Sequence, residues 1–435
     1  MELVYVALGS NVGDRQAHLK RALDGLRATP GVEVLRASSW IETEFVGDGP
    51  AQGRFLNGVA ELATSLSPAA LHGVLQALEV AAGRPADHLQ NHPRELDLDV
   101  IFFGERRVDT RDLVVPHPRW RERAFVTAPL EELGLDLSSR PPGREVELLE
   151  AGHQLSARVT DWTQGGCVVG LVPTMGSLHA GHASLIERAR RECDRVLATV
   201  FVNPLQFGEG EDLAAYPRDL DGDLRICGRA GADAVFAPAA TSMYGEGFCS
   251  AVGVGREAVG MEGEQREGHF GGVATVVARL FAMARPQRAY FGEKDAQQIA
   301  VVRRMTRDLG FPVAVVACPI VREPDGLAMS SRNVYLGPED RRAATVLVRA
   351  LRSAREQFGR GLRDRDQLIA HARAVLASEP RCHVDYVELR REGDLSPTAP
   401  GDVDGGRLLV AGRFFDGAVP VRLLDNLTLT GEDGE

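Results

Sequence analysis

Four groups of residues in this chain have types and spacings that suit chemistry on phosphates. Asp97 and Asp99 stand two apart in Arg94-Glu-Leu-Asp-Leu-Asp-Val-Ile-Phe-Phe. Side chains alternate along a strand, so both carboxylates face one way, about 7 Å apart, while Leu96, Leu98 and Val100 face the other. Such a pair can jointly coordinate a hard cation that carries polyphosphate. Aspartate is a poor strand former, so two at this period need a reason beyond solvation. His179 and His182 lie three apart at the start of a predicted helix and share a face. A helix start offers free N–H groups and a positive dipole end, and two imidazoles there can donate to phosphate oxygens. A metal pair on a helix more often uses i,i+4 spacing with a third ligand, and none is evident. Of the 50 basic residues only Lys20 and Lys294 are lysine. Lys20 falls on an exposed helix face. Lys294, in Phe291-Gly-Glu-Lys-Asp, follows a short apolar strand at a glycine turn that can present a compact ammonium to a phosphate. Met329-Ser-Ser-Arg-Asn adds two hydroxyls and a guanidinium, a set that can wrap a triphosphate.

Two kinds of scaffold must hold these groups. The first part reads as α+β: a strand over Leu3–Leu8, a helix capped by Asp14 and running to Ala28, and strands over Val32–Thr43 and Phe55–Leu66. A helix opened by Ser67-Pro68 runs to Ala82, and the acidic strand covers Leu96–Phe103. A proline-rich stretch from Pro116 to Pro142 holds a short helix. After Trp162 strands and helices alternate, with strands expected near Cys167–Val172, Val196–Val202, Ala234–Phe236, Ala289–Phe291 and Val313–Ala317. That alternation predicts a parallel α/β sheet with crossover helices. From about Pro319 helices near Arg342–Phe358 and Asp366–Ala377 precede three strands, which predicts a small third lobe. The Gly- and Glu-rich segment Gly253–Gly272 reads as a mobile loop.

At 435 residues two or three domains are expected. The net charge of -11 argues against coating nucleic acid or a membrane surface, yet leaves small-anion binding open. The six cysteines are scattered with no C-x-x-C pair, so neither a zinc knuckle nor a disulfide framework is signalled. A reducing cytoplasm fits, and the first residues read as a strand rather than a leader.

In order, V-P-T-M-G-x-L-H-x-G-H from Val172, F-V-N-P-x-Q-F, Y-P-R, E-G-H-F-x-G-V, F-G-E-K-D-x-Q-Q and M-S-S-R-N resemble the pantothenate synthetase family from about Gly165 to Leu427. The resemblance implies a Rossmann-like nucleotidylyltransferase domain over 163–318 and a C-terminal lobe over 319–435. It implies that ATP and pantoate form pantoyl adenylate and pyrophosphate, and that β-alanine then gives pantothenate and AMP. By position, His179 and His182 would hold ATP phosphates, Lys294 would neutralise the β/γ-phosphates, and Ser330, Ser331 and Arg332 would grip the triphosphate. Gln206 and Gln298, with Asn203 nearby, would bind pantoate. Pro173, Thr174, Met175, Gly176, Gly292 and Met329 would shape the ATP pocket, and Asp295 and Asp223 are candidates for placing Mg²⁺. The family usually has a strand and helix before its first motif-bearing strand. Here that element is either absent or supplied by the helix around Glu145–Trp162. A homodimer through this part is a further implication.

In the first half, V-A-L-G-S-N from Val6, Phe55-Leu-Asn57, Glu79-x-x-x-Gly-Arg84, the acidic strand and Val115-Pro-His117 resemble hydroxymethyl-dihydropterin pyrophosphokinase over residues 1–162. The resemblance implies a ferredoxin-like α+β fold that moves the β,γ-diphosphate of ATP to a pterin hydroxymethyl group. Asp97 and Asp99 would then bind two Mg²⁺; Glu79, Arg84, Arg94, His117 and Arg123 would contact ATP phosphates; and Gly9, Thr43, Phe55, Asn57 and Phe125 would hold the pterin. The chain departs from the family at Asn91-His92, Glu44-Phe45, Asp112 and Val114. The combined reading is a soluble bifunctional enzyme acting on small molecules, without nucleic-acid or membrane partners. Two alternatives stand beside it: a first domain that binds pterin or nucleotide without turnover, and a second half that adenylates amino acids for tRNA.

Overall fold

The structure is a computed structural model that describes residues 1–45, 52–83, 93–110, 112–137, 146–208, 213, 216–415 and 420–430. Arg84 and Asn91-His92 lie outside the described residues. The chain forms two compact units, Met1–Glu145 and Val146–Glu435.

The first unit contains β1 (Glu2–Ser10), α1 (Arg15–Ala28), β2 (Val32–Ala37), β3 (Ile41–Thr43), β4 (Phe55–Thr64), α2 (Pro68–Ala81), β5 (Asp97–Phe103), β6 (Val108–Asp109), β7 (Val114–Val115) and α3 (Ala124–Glu132). Asp14 accepts the N–H of Ala17 and Ser67 that of Ala70, so both caps form as the sequence signals. The sheet is antiparallel in the order β2-β4-β1-β5, with β3 also on β4. Val4, Val6 and Leu8 of β1 join Leu19, Leu23, Leu71 and Leu75 in one core. Tyr5 shares the opposite core with Phe102, Trp120, Val126 and Leu130. Both faces of the sheet are thus covered, and each fully buried leucine contributes about 2 kcal/mol of apolar burial.

The second unit opens with β8 (Glu147–Leu149) and α4 (Gly152–Gln164). These correct the expected boundary at residue 162. β8 pairs in parallel with a strand near Val235, and α4 buries Leu155 and Val159 in the core of the parallel sheet. They fill the place of the strand and helix that the sequence left in question. Then follow β9 (Val169–Val172), α5 (Ala180–Glu192), β10 (Arg195–Thr199), α6 (Leu220–Ala230), β11 (Ala234–Phe236), α7 (Ala240–Met243), α8 (Glu262–Gln265), α9 (His269–Ala284), β12 (Arg288–Gly292), α10 (Ala296–Asp308) and β13 (Ala314–Cys318). The sheet is parallel throughout, in the order β13-β12-β9-β10-β11-β8. Successive strand residues serve its two faces: Leu197 packs with α4, α9 and α10, while Val196 and Ala198 pack with α5 and α6.

The final lobe has α11 (Pro338–Ala344), α12 (Val346–Gly359), α13 (Arg365–Ala377), β14 (Cys382–Arg390), β15 (Arg407–Phe414) and β16 (Val421–Thr428). Its antiparallel sheet, in the order β14-β15-β16, packs on α12 and α13 around a separate core. The segment expected as a mobile loop, Gly253–Gly272, instead forms a 3-10 turn at Arg256–Ala258, then α8 and the start of α9. Gln297 ties it down, accepting from the N–H of Glu262 and donating to the carbonyls of Glu257 and Gly260. Glu262 in turn pairs with Arg422 and accepts from Tyr386 of the final lobe.

Candidate active sites

In the first unit, register places the site. Gly9 of β1 lies between Asn57 of β4 and Asp97 of β5, and Ala7 lies opposite Asp99. A Cβ on Gly9 would meet Asn57 Oδ1 at 2.9 Å, so glycine keeps the slot open. The slot is lined by Gly9, Thr43, Phe55, Asn57, Arg94, Asp97, Asp99, Arg123 and Phe125, all named from the sequence, together with Ala7, Leu8, Glu44, Phe45 and Gly58. Asn57 donates to Thr43 Oγ1 at 2.8 Å, which orients both toward the slot. The departure at Phe45 puts a third ring on the slot, stacked on Phe55 at 6.2 Å.

The two carboxylates share a face and differ in setting. Arg94 approaches Asp97 at 3.3 Å. Asp99 lies 3.2 Å from Arg123 and 3.7 Å from His117 Nε2. Burial works to raise the Asp99 pKa, but His117, Arg123 and Arg94 outweigh it and hold the carboxyl down at about 2. His117 accepts the N–H of Arg119 at Nδ1, which leaves Nε2–H toward Asp99. Burial pushes its pKa down to about 4. His117 therefore sits behind Asp99 and is not among the residues lining the slot. Glu79 is likewise not among the lining residues: buried, it accepts the N–H of Leu98 at 2.8 Å. That bond fixes the strand between the two aspartates.

In the second unit, residues scattered over 160 positions meet around one cavity of about 230 Å³. Pro173, Thr174, Met175, His179, His182, Asn203, Gln206, Gly292, Lys294, Asp295, Gln298, Met329, Ser330, Ser331 and Arg332 all line it. A larger cleft of about 980 Å³ adjoins it and shares Arg266, His269, Lys294, Asp295, Gln298, Ser330 and Arg332. His179 caps α5, and its Nδ1 accepts the N–H of Gly181 at 3.1 Å. The N–H of His179 reaches His182 Nδ1 at 3.4 Å. Both rings thus carry their proton on Nε2 as donors, 4.1 Å apart between centroids.

Burial and then Lys294 push His179 down to about 4; burial, His179 and Lys294 push His182 down to about 3. Both stay neutral donors at physiological pH. Unfolded imidazoles take protons below about 6.5, so stability is full above that value and falls as pH drops toward 4. We expect the adenylation rate to pass through pH 6.5 without an imidazole break, while the melting temperature already declines. A pH–rate profile beside thermal melts from pH 8 to 5 checks this, and a break near 6.5 lost in His182→Asn would contradict it.

Other residues hold the donors in place. Asp223 is buried and accepts the N–H groups of Ser177 (3.0 Å) and Leu178 (2.7 Å). The backbone there turns through positive φ at Gly176 and Ser177, and a Cβ on Gly176 would meet Asp223 at 2.8 Å. Neither Gly176 nor Asp223 lines the cavity; together they shape the loop that delivers His179. Asn203 donates to Gln206 Oε1 (3.2 Å) and to Gly272 O (3.1 Å), and accepts from Tyr244 (2.7 Å). His269 donates from Nδ1 to Gln206 O at 2.8 Å and accepts at Nε2 from Arg266. Arg266, His269, Phe207 and Tyr216 line the cavity although no role was read for them. Phe207, Tyr216 and His269 fall inside the quoted motifs, and Arg266 stands just before E-G-H-F-x-G-V.

The family model for pantoate-beta-alanine ligase matches residues 147–428, and that for 7,8-dihydro-6-hydroxymethylpterin-pyrophosphokinase matches residues 5–134. A pantothenate synthetase from Roseiflexus is 59% identical over 226 residues, 52% of this chain and 81% of the relative. One from Heliobacterium modesticaldum is 48% identical over 284 residues, 65% of this chain and 99% of the relative. The crystal structure of pantothenate synthetase from Thermus thermophilus superposes with TM-score 0.60 at 49% identity, covering 66% of this chain and 100% of that one. With two phosphate-suited sites built in separate units, the chain belongs to the pantoate-beta-alanine ligase family and joins to it, in one polypeptide, a hydroxymethylpterin pyrophosphokinase domain.

Proposed function

We propose that the two units run two ATP-dependent reactions. In the second, the pantoate carboxylate attacks the α-phosphorus of ATP and pyrophosphate leaves. The β-alanine amine then attacks the acyl carbon of the mixed anhydride, loses a proton, and AMP leaves. In the first, the pterin hydroxymethyl oxygen attacks the β-phosphorus of ATP, its proton is lost and AMP leaves. The observation that carries the second assignment is the convergence of His179, His182, Lys294 and Arg332 with Gln206 and Gln298 on one cavity. Pantoate and ATP are both anions, so fixed donors must offset their repulsion while they are held in line. The neutral Nε2–H groups of His179 and His182 would donate to the phosphates, Lys294 and Ser330–Arg332 would grip the leaving pyrophosphate, and Gln206 and Gln298 would hold pantoate.

The first assignment rests on the slot of Asp97, Asp99, Arg94 and Arg123 beside Phe55 and Phe125. Two strand-borne carboxylates suit Mg²⁺, which keeps several waters and takes phosphate oxygens. Asp97 and Asp99 would hold it, and it would supply charge neutralisation on the ATP tail. Arg94 and Arg123, now paired with these aspartates, would then be released toward the phosphates.

Finer readings go with this function. The order β2-β4-β1-β5, with α1 and α2 as crossovers, supports a ferredoxin-like first domain. The parallel sheet supports a Rossmann-like second one, with 319–435 as its closing lobe. Among the described residues no helix is long and apolar enough to cross a membrane. A cytoplasmic homodimer through the ligase unit completes the proposal.

The test is to assay the purified chain with each substrate set and then to divide it between Glu145 and Val146. Each unit has its own core, so each fragment should keep its activity within about threefold. Loss of both activities on division would sink independent domains, and turnover of the pterin alcohol excludes a merely binding first unit.

A further inference from the structure

We propose that Asp425 and Asn426 of β16 are positioning residues that lock the Lys294 turn and the Ser330–Arg332 loop into a single phosphate grip. The inference rests on the adenylation reading of that cavity. The two grips come from distant parts of the chain: one from the turn after β12, the other from the segment that follows β13. β16 abuts both. Asp425 and Asn426 are each only 1% exposed.

Asn426 works on the lysine turn. Its Nδ2 donates to the carbonyls of both Glu293 (2.8 Å) and Lys294 (2.9 Å). Two bonds to consecutive carbonyls fix the base from which the Lys294 side chain rises. Its Oδ1 accepts from Arg407 Nη1 at 2.7 Å, and the same guanidinium reaches Glu293 Oε2 at 3.1 Å. The turn is therefore held through its backbone and through its preceding side chain.

Asp425 works on the serine loop. It takes both Nη atoms of Arg322, at 2.7 and 3.0 Å, and the N–H of Asn426 at 2.7 Å. Arg322 stands opposite Ala328 in a hairpin closed by Met329 N–H on Val321 O. The residues that leave this hairpin are Ser330, Ser331 and Arg332. Asn333 anchors the far side by donating to Glu323 and to Ala328 O. One dipeptide of the final lobe thus joins both groups that meet the ATP tail.

The Nδ2 group of Asn426 donates to two carbonyls while Oδ1 accepts from Arg407, so Asn426→Asp keeps its shape and the Arg407 contact but turns the two attractions at the turn into repulsions. The test uses the full chain and measures the half-reactions separately. Pantoate-dependent exchange of labelled pyrophosphate into ATP reports adenylation, and AMP release from preformed pantoyl adenylate with β-alanine reports the second step. In Asn426→Asp we expect exchange to fall about 10- to 100-fold, the cost of misplacing reacting groups by a fraction of an ångström to 1 Å. The KM for ATP should rise, while the KM for pantoate and the second step stay unchanged, because the latter involves no triphosphate. A part that merely supports the fold would lower both half-reactions together. Should Asn426→Asp lose the second step through misfolding, Arg407→Gln decides, since it loosens the same turn more gently and should show the same split. Equal losses in both steps of Arg407→Gln, or no change in either variant, overturn the clamp. Absence of pantoate-dependent exchange in the unaltered chain would instead sink the adenylation reading itself.

Discussion

Lys294→Ala should lower pantoate-dependent pyrophosphate exchange by on the order of 10²–10³ while leaving pterin pyrophosphorylation unchanged, the size typical for loss of one preorganised charge at a reacting centre. The lysine lies where the small cavity meets the larger cleft and lines both. Its ammonium faces His179 and His182 closely enough to help depress both their pKa values. Removing it therefore does two things. It deletes the point charge that would offset the β/γ-phosphates, and it relaxes the repulsion that keeps the imidazoles neutral, so both should titrate at higher pH in the variant. Lys294→Arg should recover only part of the rate, because a planar fork cannot replace a compact ammonium on a turn held at its own carbonyl. Exchange above a tenth of the unaltered rate in Lys294→Ala would remove Lys294 from the adenylation machinery.

What the sequence disclosed and what it hid separate along a physical line. Local signals were legible. The caps at Asp14 and Ser67 form where the residue types require them. Asp97 and Asp99 share a face because the strand period allows nothing else, and the alternation after Trp162 becomes a parallel sheet. What depends on a distant partner was not legible. β8 is three residues long, and its pairing with β11 lies more than eighty positions away. No local pattern assigns Glu147–Leu149 to the second unit rather than the first. Carboxylate orientation was hidden for the same reason. Glu79 and Asp223 sit beside phosphate-suited motifs, yet both turn to backbone N–H groups, at Leu98 and at Ser177 and Leu178. A carboxylate next to a motif can serve the ligand or the loop that carries the motif, and only packing decides. Asp425 and Asn426 gave no signal at all, since their partners Arg322 and Lys294 lie more than a hundred residues upstream.

Asp97→Ala is expected to give the converse of the lysine variant: pterin pyrophosphorylation should fall at least about 100-fold, beyond the 10- to 100-fold typical when only a partner of a metal ligand is lost. β-Alanine-dependent AMP release should be unchanged, because Asp97 belongs to the other unit. Asp97 is the cleaner of the two aspartates to remove. Asp99 holds His117 and Arg123, and its carboxyl is kept down at about 2. A carboxylate whose pKa is depressed on folding stabilises the protein above the usual value near 4, and this contribution fades as pH falls toward 2. Asp99→Ala would therefore mix lost stability with lost chemistry. Asp97 faces the slot beside Arg94 and opposite Gly9, where a truncation leaves the strand register to be held by Glu79 on Leu98. The melting temperature of Asp97→Ala should stay close to that of the unaltered chain while the Mg²⁺ requirement for turnover rises steeply. Should the variant turn over the pterin alcohol at an unaltered rate and Mg²⁺ dependence, the paired acids would be a solvated strand face and the first unit would need another site for its chemistry.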